Sequence, residues 1–255
     1  MACGDLPISI DFLKEVYLFG VRLTNDAGEP FPDSMFEHYI RAARDWLQRH
    51  LDILLSVQVI TNEKHDYWLK DYRRWAWMEV YRKPIRTISE IRFEYPISQS
   101  NFVFPTEWIT YNVDKETAAS RVQIIPKSGA LSEILITKGG NLLPLLEGLN
   151  DYVPDALVID YEAGLDRDEL PDDLKHLIGM QAAIGPLNIA GDLLVGAGIA
   201  SKSVSIPGLS QSINTTSSST NSGYGSRILE YQKEIKDLLP QVKAQYGRSS
   251  QLTVI

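Results

Sequence analysis

A chain of 255 residues, 44% of them apolar, is long enough for one large or two modest domains and can build a core. Asp and Glu outnumber Lys and Arg by 33 to 25, and the formal charge of -8 opposes tight wrapping of a nucleic-acid backbone while letting a duplex slide past without sticking. The lone Cys3 excludes an internal disulfide and a cysteine-based zinc site, no run of about 18 apolar residues offers a membrane span, and Met1 to Ser9 has no signal-peptide pattern, so the expectation is a protein made in the cytoplasm with no membrane partner.

From Ser9 to Phe19 the spacing of Phe12, Leu13, Val16 and Tyr17 predicts a short helix, with Ser9 as its N-cap and Gly20 just past its end. Turn residues fill Thr24 to Pro32, after which Ser34 and Glu37 form a capping box. That box opens a strong amphipathic helix to Leu55, in which Met35, Phe36, Tyr39, Ile40, Ala43, Trp46, Leu47, Leu51 and Leu54 recur at helical spacing.

Between about Ser56 and Glu162 the period changes to two. Strands are expected at 56–60, 74–81, 88–95, 108–111, 121–125, 133–137 and 157–161. Pro84, Pro96, Pro105, Pro126 and Pro154 fall between them with the Lys138-Gly139-Gly140 turn, which favours a small, mostly antiparallel sheet or sandwich over βαβ units. Asn141 to Leu149 is expected to add one helical turn.

At Asp166 the pattern becomes helical again, with Pro171 in the first turn and Asp172 and Asp173 at the positive end of the helix dipole. Leu174, Leu177, Ile178, Ala182 and Ile184 continue the apolar face until Pro186, which lacks an N–H and should kink or interrupt the helix. An arm of small polar residues without periodicity follows from Ser201 to Gly225. Ser226 caps a last helix with the stripe Ile228, Tyr231, Ile235, Leu238, Val242 and Tyr246, bent or shortened by Pro240 and stopped at Gly247. The fold class is therefore α+β: an N-terminal helical part (1–57), a β-rich middle region (58–165), C-terminal helices (166–247) carrying the arm (201–225), and a tail (248–255).

No phosphate loop, nucleophile elbow, HExxH motif or dinucleotide fingerprint is present, and His38, His50, His65 and His176 are dispersed without ligand-like spacing. The tract Asp160, Glu162, Asp166, Asp168, Glu169, Asp172 and Asp173 could supply paired carboxylates or a calcium site, but it lacks the register of a calcium loop and reads as a solvated turn before a helix start. Trp68, Trp75 and Trp77 lie among tyrosines and basic residues between Asp66 and Tyr81, a mixture suited to core or a subunit interface, or else to a ligand platform. No catalytic residue, metal or cofactor is assigned. Within the arm, Val204, Ile206, Leu209 and Ile213 are spaced for docking an extended segment on a partner.

Four segments carry a resemblance. They are Val158 to Gly164 (Val-Ile-Asp-Tyr-Glu-Ala-Gly), Leu170 to Lys175 (Leu-Pro-Asp-Asp-Leu-Lys), Gly198 to Ser212 and Tyr224 to Ile235, and in this order and spacing the chain resembles the head-to-tail connector, or adaptor, proteins of tailed bacteriophages. The opening helix pair and the segment Pro84 to Asp114 look like the corresponding parts of that family. Pro207, where the family often has Asp, and Pro186 depart from its pattern. The resemblance implies a non-enzymatic virion protein of the head-tail neck, assembled in the host cytoplasm. Such a protein forms a homo-oligomeric ring, usually a dodecamer, beneath the portal protein. It would extend the channel through which packaged DNA passes without specific binding, and dock a downstream neck or tail protein. Ser201, Val204, Ile206, Pro207, Leu209, Ile213 and Tyr224 are then expected in a subunit-interface arm. Leu252, Val254 and Ile255 are expected to contact the portal or a neighbour, and Trp68, Trp75 and Trp77 to serve as interface aromatics. The competing readings are a carbohydrate-active hydrolase using the carboxylates around Asp160 to Asp173, and another tail-completion or head-decoration protein.

Overall fold

The computed structural model describes residues 6–72, 78–94, 101–111, 120–125, 151–195, 201–206, 209–214 and 224–246. The chain is α+β and divides into two compact units, one of residues 1–51 with 166–244, the other of residues 52–165 with 245–255.

The first unit is helical. Helix α1 starts as Ile10–Phe12, where the Ser9 hydroxyl accepts the Phe12 N–H at 3.1 Å, and continues as a π turn, Leu13–Tyr17. It buries Leu13 and Tyr17. Helix α2, Asp33–Leu51, begins one residue before the expected capping box, so Ser34 lies in its first turn and the Pro32 carbonyl accepts the Met35 N–H. Its buried residues Phe36, Ile40, Ala43, Leu47 and Leu51 follow the 3.6-residue period.

A 3₁₀ turn, Arg167–Glu169, precedes the longest helix and is closed by a capping box between Asp166 and Glu169. Helix α4, Asp172–Val195, then runs through Pro186, so of the kink or interruption expected there the interruption does not occur. An interior proline forfeits a backbone hydrogen bond and costs about 3 kcal/mol. Burying Leu174, Leu177, Ile178, Met180, Ala182, Ala183, Leu187 and Ala190 along both sides of the proline offsets that cost several times over, at roughly 1.5 kcal/mol or more per large side chain. Among the described residues α4 is the one helix long and apolar enough to cross a bilayer, but its burial is that of a core helix. Helix α5, Gly225–Tyr246, likewise continues through Pro240 and buries Ile228, Ile235 and Val242 at seven-residue intervals.

The arm differs from the unperiodic segment expected. Its described residues form an antiparallel ribbon, β8 (Ser201–Ile206) with β9 (Leu209–Asn214), in register from Ser201↔Asn214 to Ile206↔Leu209. Two residues, Pro207 and Gly208, remain to connect the strands.

In the second unit, β1 (Gln58–Trp68), β3 (Ile85–Glu94), β4 (Asn101–Val103) and β7 (Tyr152–Ala163) make an antiparallel sheet of order β1-β7-β3-β4. A smaller antiparallel sheet has order β2-β6-β5, from Met78–Glu79, Arg121–Ile124 and Ile109–Tyr111. A short helix, α3 (Leu69–Tyr72), follows β1, and a 3₁₀ turn, Thr106–Trp108, replaces the start of the strand expected at Trp108. One core, including Ile91, Phe93, Ile159 and Tyr161 from the larger sheet and Val122 and Ile124 from the smaller, joins the two. Pro154, expected between strands, lies within β7. This is tolerated because β3 pairs with β7 only as far as Phe93↔Leu157 and the β1 pairing shifts register between His65↔Leu157 and Tyr67↔Val153, so neither neighbouring strand pairs at Pro154. The expected strand 133–137, the helical turn 141–149 and residues 74–77 of the strand expected at 74–81 lie outside the described residues.

Candidate assembly surface

The ribbon sorts the arm by chemistry. Because directly paired residues share a face and neighbours alternate, Lys202, Val204, Ile206, Leu209, Gln211 and Ile213 occupy one face. Ser201, Ser203, Ser205, Ser210, Ser212 and Asn214 occupy the other. Among the expected arm residues, Val204, Ile206, Leu209 and Ile213 are thus brought together and Ser201 is set apart from them, while Pro207 lies outside the described residues. A two-stranded ribbon with one apolar face is marginal on its own and requires a covering surface.

Tyr224 precedes α5, and its hydroxyl accepts the Arg22 backbone N–H at 3.3 Å. Two further hydrogen bonds pin the same stretch of chain: Arg227 donates to the Phe19 carbonyl at 3.0 Å and the Tyr231 hydroxyl to that of Tyr17 at 2.9 Å. Underneath, Glu234 accepts from Nε2–H of His176 at 3.0 Å, leaving Nδ1 to accept the Tyr17 hydroxyl at 2.8 Å. Burial, with the Tyr231 and Glu234 charges behind it, pushes the Tyr17 hydroxyl up to about 12, so it stays protonated across the neutral range. This chain of Tyr, His and Glu ties α1, α4 and α5 together. On the outside, Phe12, Val16 and Phe19 remain 37%, 52% and 74% exposed.

Trp68 sits at the end of β1, partly exposed, against Tyr152 at 4.4 Å between ring centroids and with Lys70 5.0 Å from its ring. Asp66 accepts from the Tyr152 hydroxyl at 3.2 Å and the Asp155 N–H at 3.1 Å, fixing that end of the sheet. Trp75, Trp77, Leu252, Val254 and Ile255 lie outside the described residues.

Six of the seven carboxylates of the acidic tract are committed to structure. Asp160 accepts from Arg92 at 2.6 Å and from the Asn62 N–H at 2.5 Å, and although burial opposes its ionisation, these bonds hold its carboxyl below the usual range. Glu162 pairs with Arg86, Asp166 and Glu169 cap a turn, Asp172 pairs with Lys175, and Asp173 accepts the Leu174 N–H. No group of three or more metal-ligating side chains occurs among the described residues. The glycine that closes the first family-like segment also has a backbone reason. Gly164 sits at φ +113°, and a Cβ there would collide with the Ser56 carbonyl.

One constellation has no sequence signal at all. A cleft of about 780 Å³ on the second unit, lined in part by Glu79, Tyr81, Arg82 and Lys83, reaches the buried Glu63. Glu63 accepts from His65 Nε2 at 2.8 Å, the Tyr81 N–H at 2.8 Å and the Tyr161 hydroxyl at 2.5 Å. Burial raises its pKa, and the three hydrogen bonds more than reverse that, leaving it below the usual carboxylate range. A carboxylate so fully occupied and so acidic is a poor general acid or base near neutrality.

No family model matches the chain, and no curated protein does. Among solved structures it is similar to a chain in the virion of a native gene transfer agent (GTA) particle, at 15% identity and a TM-score of 0.40, over 69% of this chain and 76% of that one. It is also similar to a chain in the neck of an empty GTA particle, at 17% identity and a TM-score of 0.37, over 68% of this chain and 73% of that one.

Proposed function

We propose that this chain is a structural virion protein of the head-tail neck: a connector that forms a ring beneath the portal, extends the DNA channel and docks the next neck or tail protein. The observation that carries the reading is the ribbon. It is inserted between two core helices, α4 and α5, and gathers Val204, Ile206, Leu209 and Ile213 on one face while serines take the other. A ring built by repeating one head-to-tail contact joins two different surfaces of each copy, the ribbon being one of them, and many modest contacts then add up around the ring. The four family-like segments support the same reading, as does the use of Asp160, Glu162, Asp166, Glu169, Asp172 and Asp173 in ion pairs and caps rather than in a catalytic pair.

Removing residues 205–222 tests it. Native mass spectrometry of the parent chain, alone and with a portal protein, should show a ring, and the deletion should leave a folded monomer of unchanged helical content. Rings that survive the deletion remove the arm from the mechanism. A parent chain that never assembles sinks the connector reading itself.

A further inference from the structure

Two exposed side chains of opposite charge, Arg82 and Asp168, have no ion-pair partner among the described residues, and each stands on a pinned stretch of backbone. Arg82 lines the cleft of about 780 Å³ on the second unit. Around it four consecutive residues are fixed through the main chain. The Tyr81 N–H donates to Glu63 at 2.8 Å and the Arg82 N–H to the Tyr161 hydroxyl at 3.0 Å, while the Lys83 and Pro84 carbonyls accept the Leu54 and Gly164 N–H groups, each at 2.8 Å. A buried carboxylate is costly, and Glu63, directly and through Tyr161, spends its hydrogen bonds on holding two residues whose side chains face solvent. Tyr81 and Arg82 are thereby set in place before any partner arrives, and Tyr and Arg are the residue types that anchor protein interfaces. Lys83, beside them, is already engaged by Asp52 at 3.3 Å, which leaves Arg82 as the cation of the cleft open to another carboxylate.

Asp168 is the seventh carboxylate of the acidic tract, the one without a structural use. It lies in the 3₁₀ turn Arg167–Glu169, fixed by the Asp166–Glu169 capping box and by the Leu170 N–H on the Arg167 carbonyl. Asp166, Glu169, Asp172 and Asp173 surround it in sequence, so the turn presents a concentrated negative charge. Copies of a chain carrying -8 repel one another, and repeated contact between them is favoured where opposite charges meet. We infer that the acidic turn of one copy of this chain enters the cleft of the next, where Asp168 pairs with Arg82. The contact joins two different surfaces, so each copy offers a turn and accepts another, which propagates head-to-tail and closes when the rotation allows. This deepens the connector reading and rests on it, naming a contact between neighbouring subunits that lies outside the arm.

Charge exchange and cross-linking test the pairing in the full-length protein. Arg82→Glu and Asp168→Arg should each weaken self-association roughly tenfold in sedimentation equilibrium, and the double variant, in which the two charges are exchanged, should recover most of it. Both side chains are exposed, so the melting temperature should not change, and the neutral Asp168→Asn should show a smaller loss of the same kind. In a Cys3→Ser background, mixing Arg82→Cys with Asp168→Cys protein and a short bismaleimide should give covalent dimers that neither variant gives alone. A chain carrying both cysteines that links only within itself would place the pair inside one copy and overturn the proposal. Unchanged self-association together with lost portal binding in Arg82→Glu would put a different protein in the cleft, with the same result. Rings that form normally with no cross-link and no charge effect would overturn it while leaving the connector reading standing. A parent chain that stays monomeric, alone or with the portal protein, would remove both.

Discussion

The buried Glu63 carboxylate shows how much of this fold rests on single polar groups. Three donors, one of them the hydroxyl of Tyr161 from the Val158 to Gly164 segment, keep it ionised inside the sandwich. Because its folded pKa lies below the ordinary 4.5, its contribution to stability is complete above about that pH and is lost as pH falls through the folded value. Glu63→Gln presents an amide N–H₂ to groups that themselves donate, so it should lower stability at pH 7 by about 1–3 kcal/mol. The variant should also flatten the acid limb of a denaturation profile below about pH 5, and a parent-like acid limb would show that other carboxylates set it. None of this was legible in the sequence, since Glu63 and Tyr161 are 98 residues apart and His65 carried no ligand-like spacing.

At the scale of elements, α4 decides the helical unit. Its glycines are contact points: Gly179 receives the ring of Tyr17 from α1, and Gly185 receives that of Tyr39 from α2. A Cβ at Gly185 would collide with the Tyr39 ring. Gly185→Ala should therefore cost about 1–3 kcal/mol by overpacking despite the better helix propensity of alanine, with Tyr39→Leu in the same chain restoring part of it, as thermal denaturation would report. Stripes on α1, α2 and α5 were readable because a helix places i, i+4 and i+7 on one side regardless of context. The uninterrupted course of α4 through Pro186 was not, because the compensation comes from residues packed around it. The ribbon escaped reading for a different reason. Serine alternating with lysine, valine and isoleucine looks like low complexity until pairing puts the serines on one face.

For the whole molecule, the charge of -8 makes a prediction that ring formation does not alter. Non-specific duplex binding rests on cationic contacts to phosphate, and a protein lacking a basic excess should bind more weakly than the roughly 100 µM typical of the weakest non-specific binders at physiological salt. Fluorescence anisotropy with a labelled duplex should show no saturable binding at ~10 µM protein, for monomer and ring alike. Submicromolar binding would reveal a basic surface and overturn this expectation.

Sequence alone determined the α+β class, the positions of the amphipathic helices and the antiparallel character of the middle region, because those depend on periodicity and turn chemistry within a few residues. Only the tertiary structure decided that the arm is an antiparallel ribbon, that six of the seven carboxylates of the acidic tract are spent on Arg92, Arg86, Lys175 and helix or turn starts, and that Phe12, Val16 and Phe19 stay exposed. Those outcomes depend on partners distant in sequence, whose energies count only once the chain has brought them within hydrogen-bond or van der Waals reach.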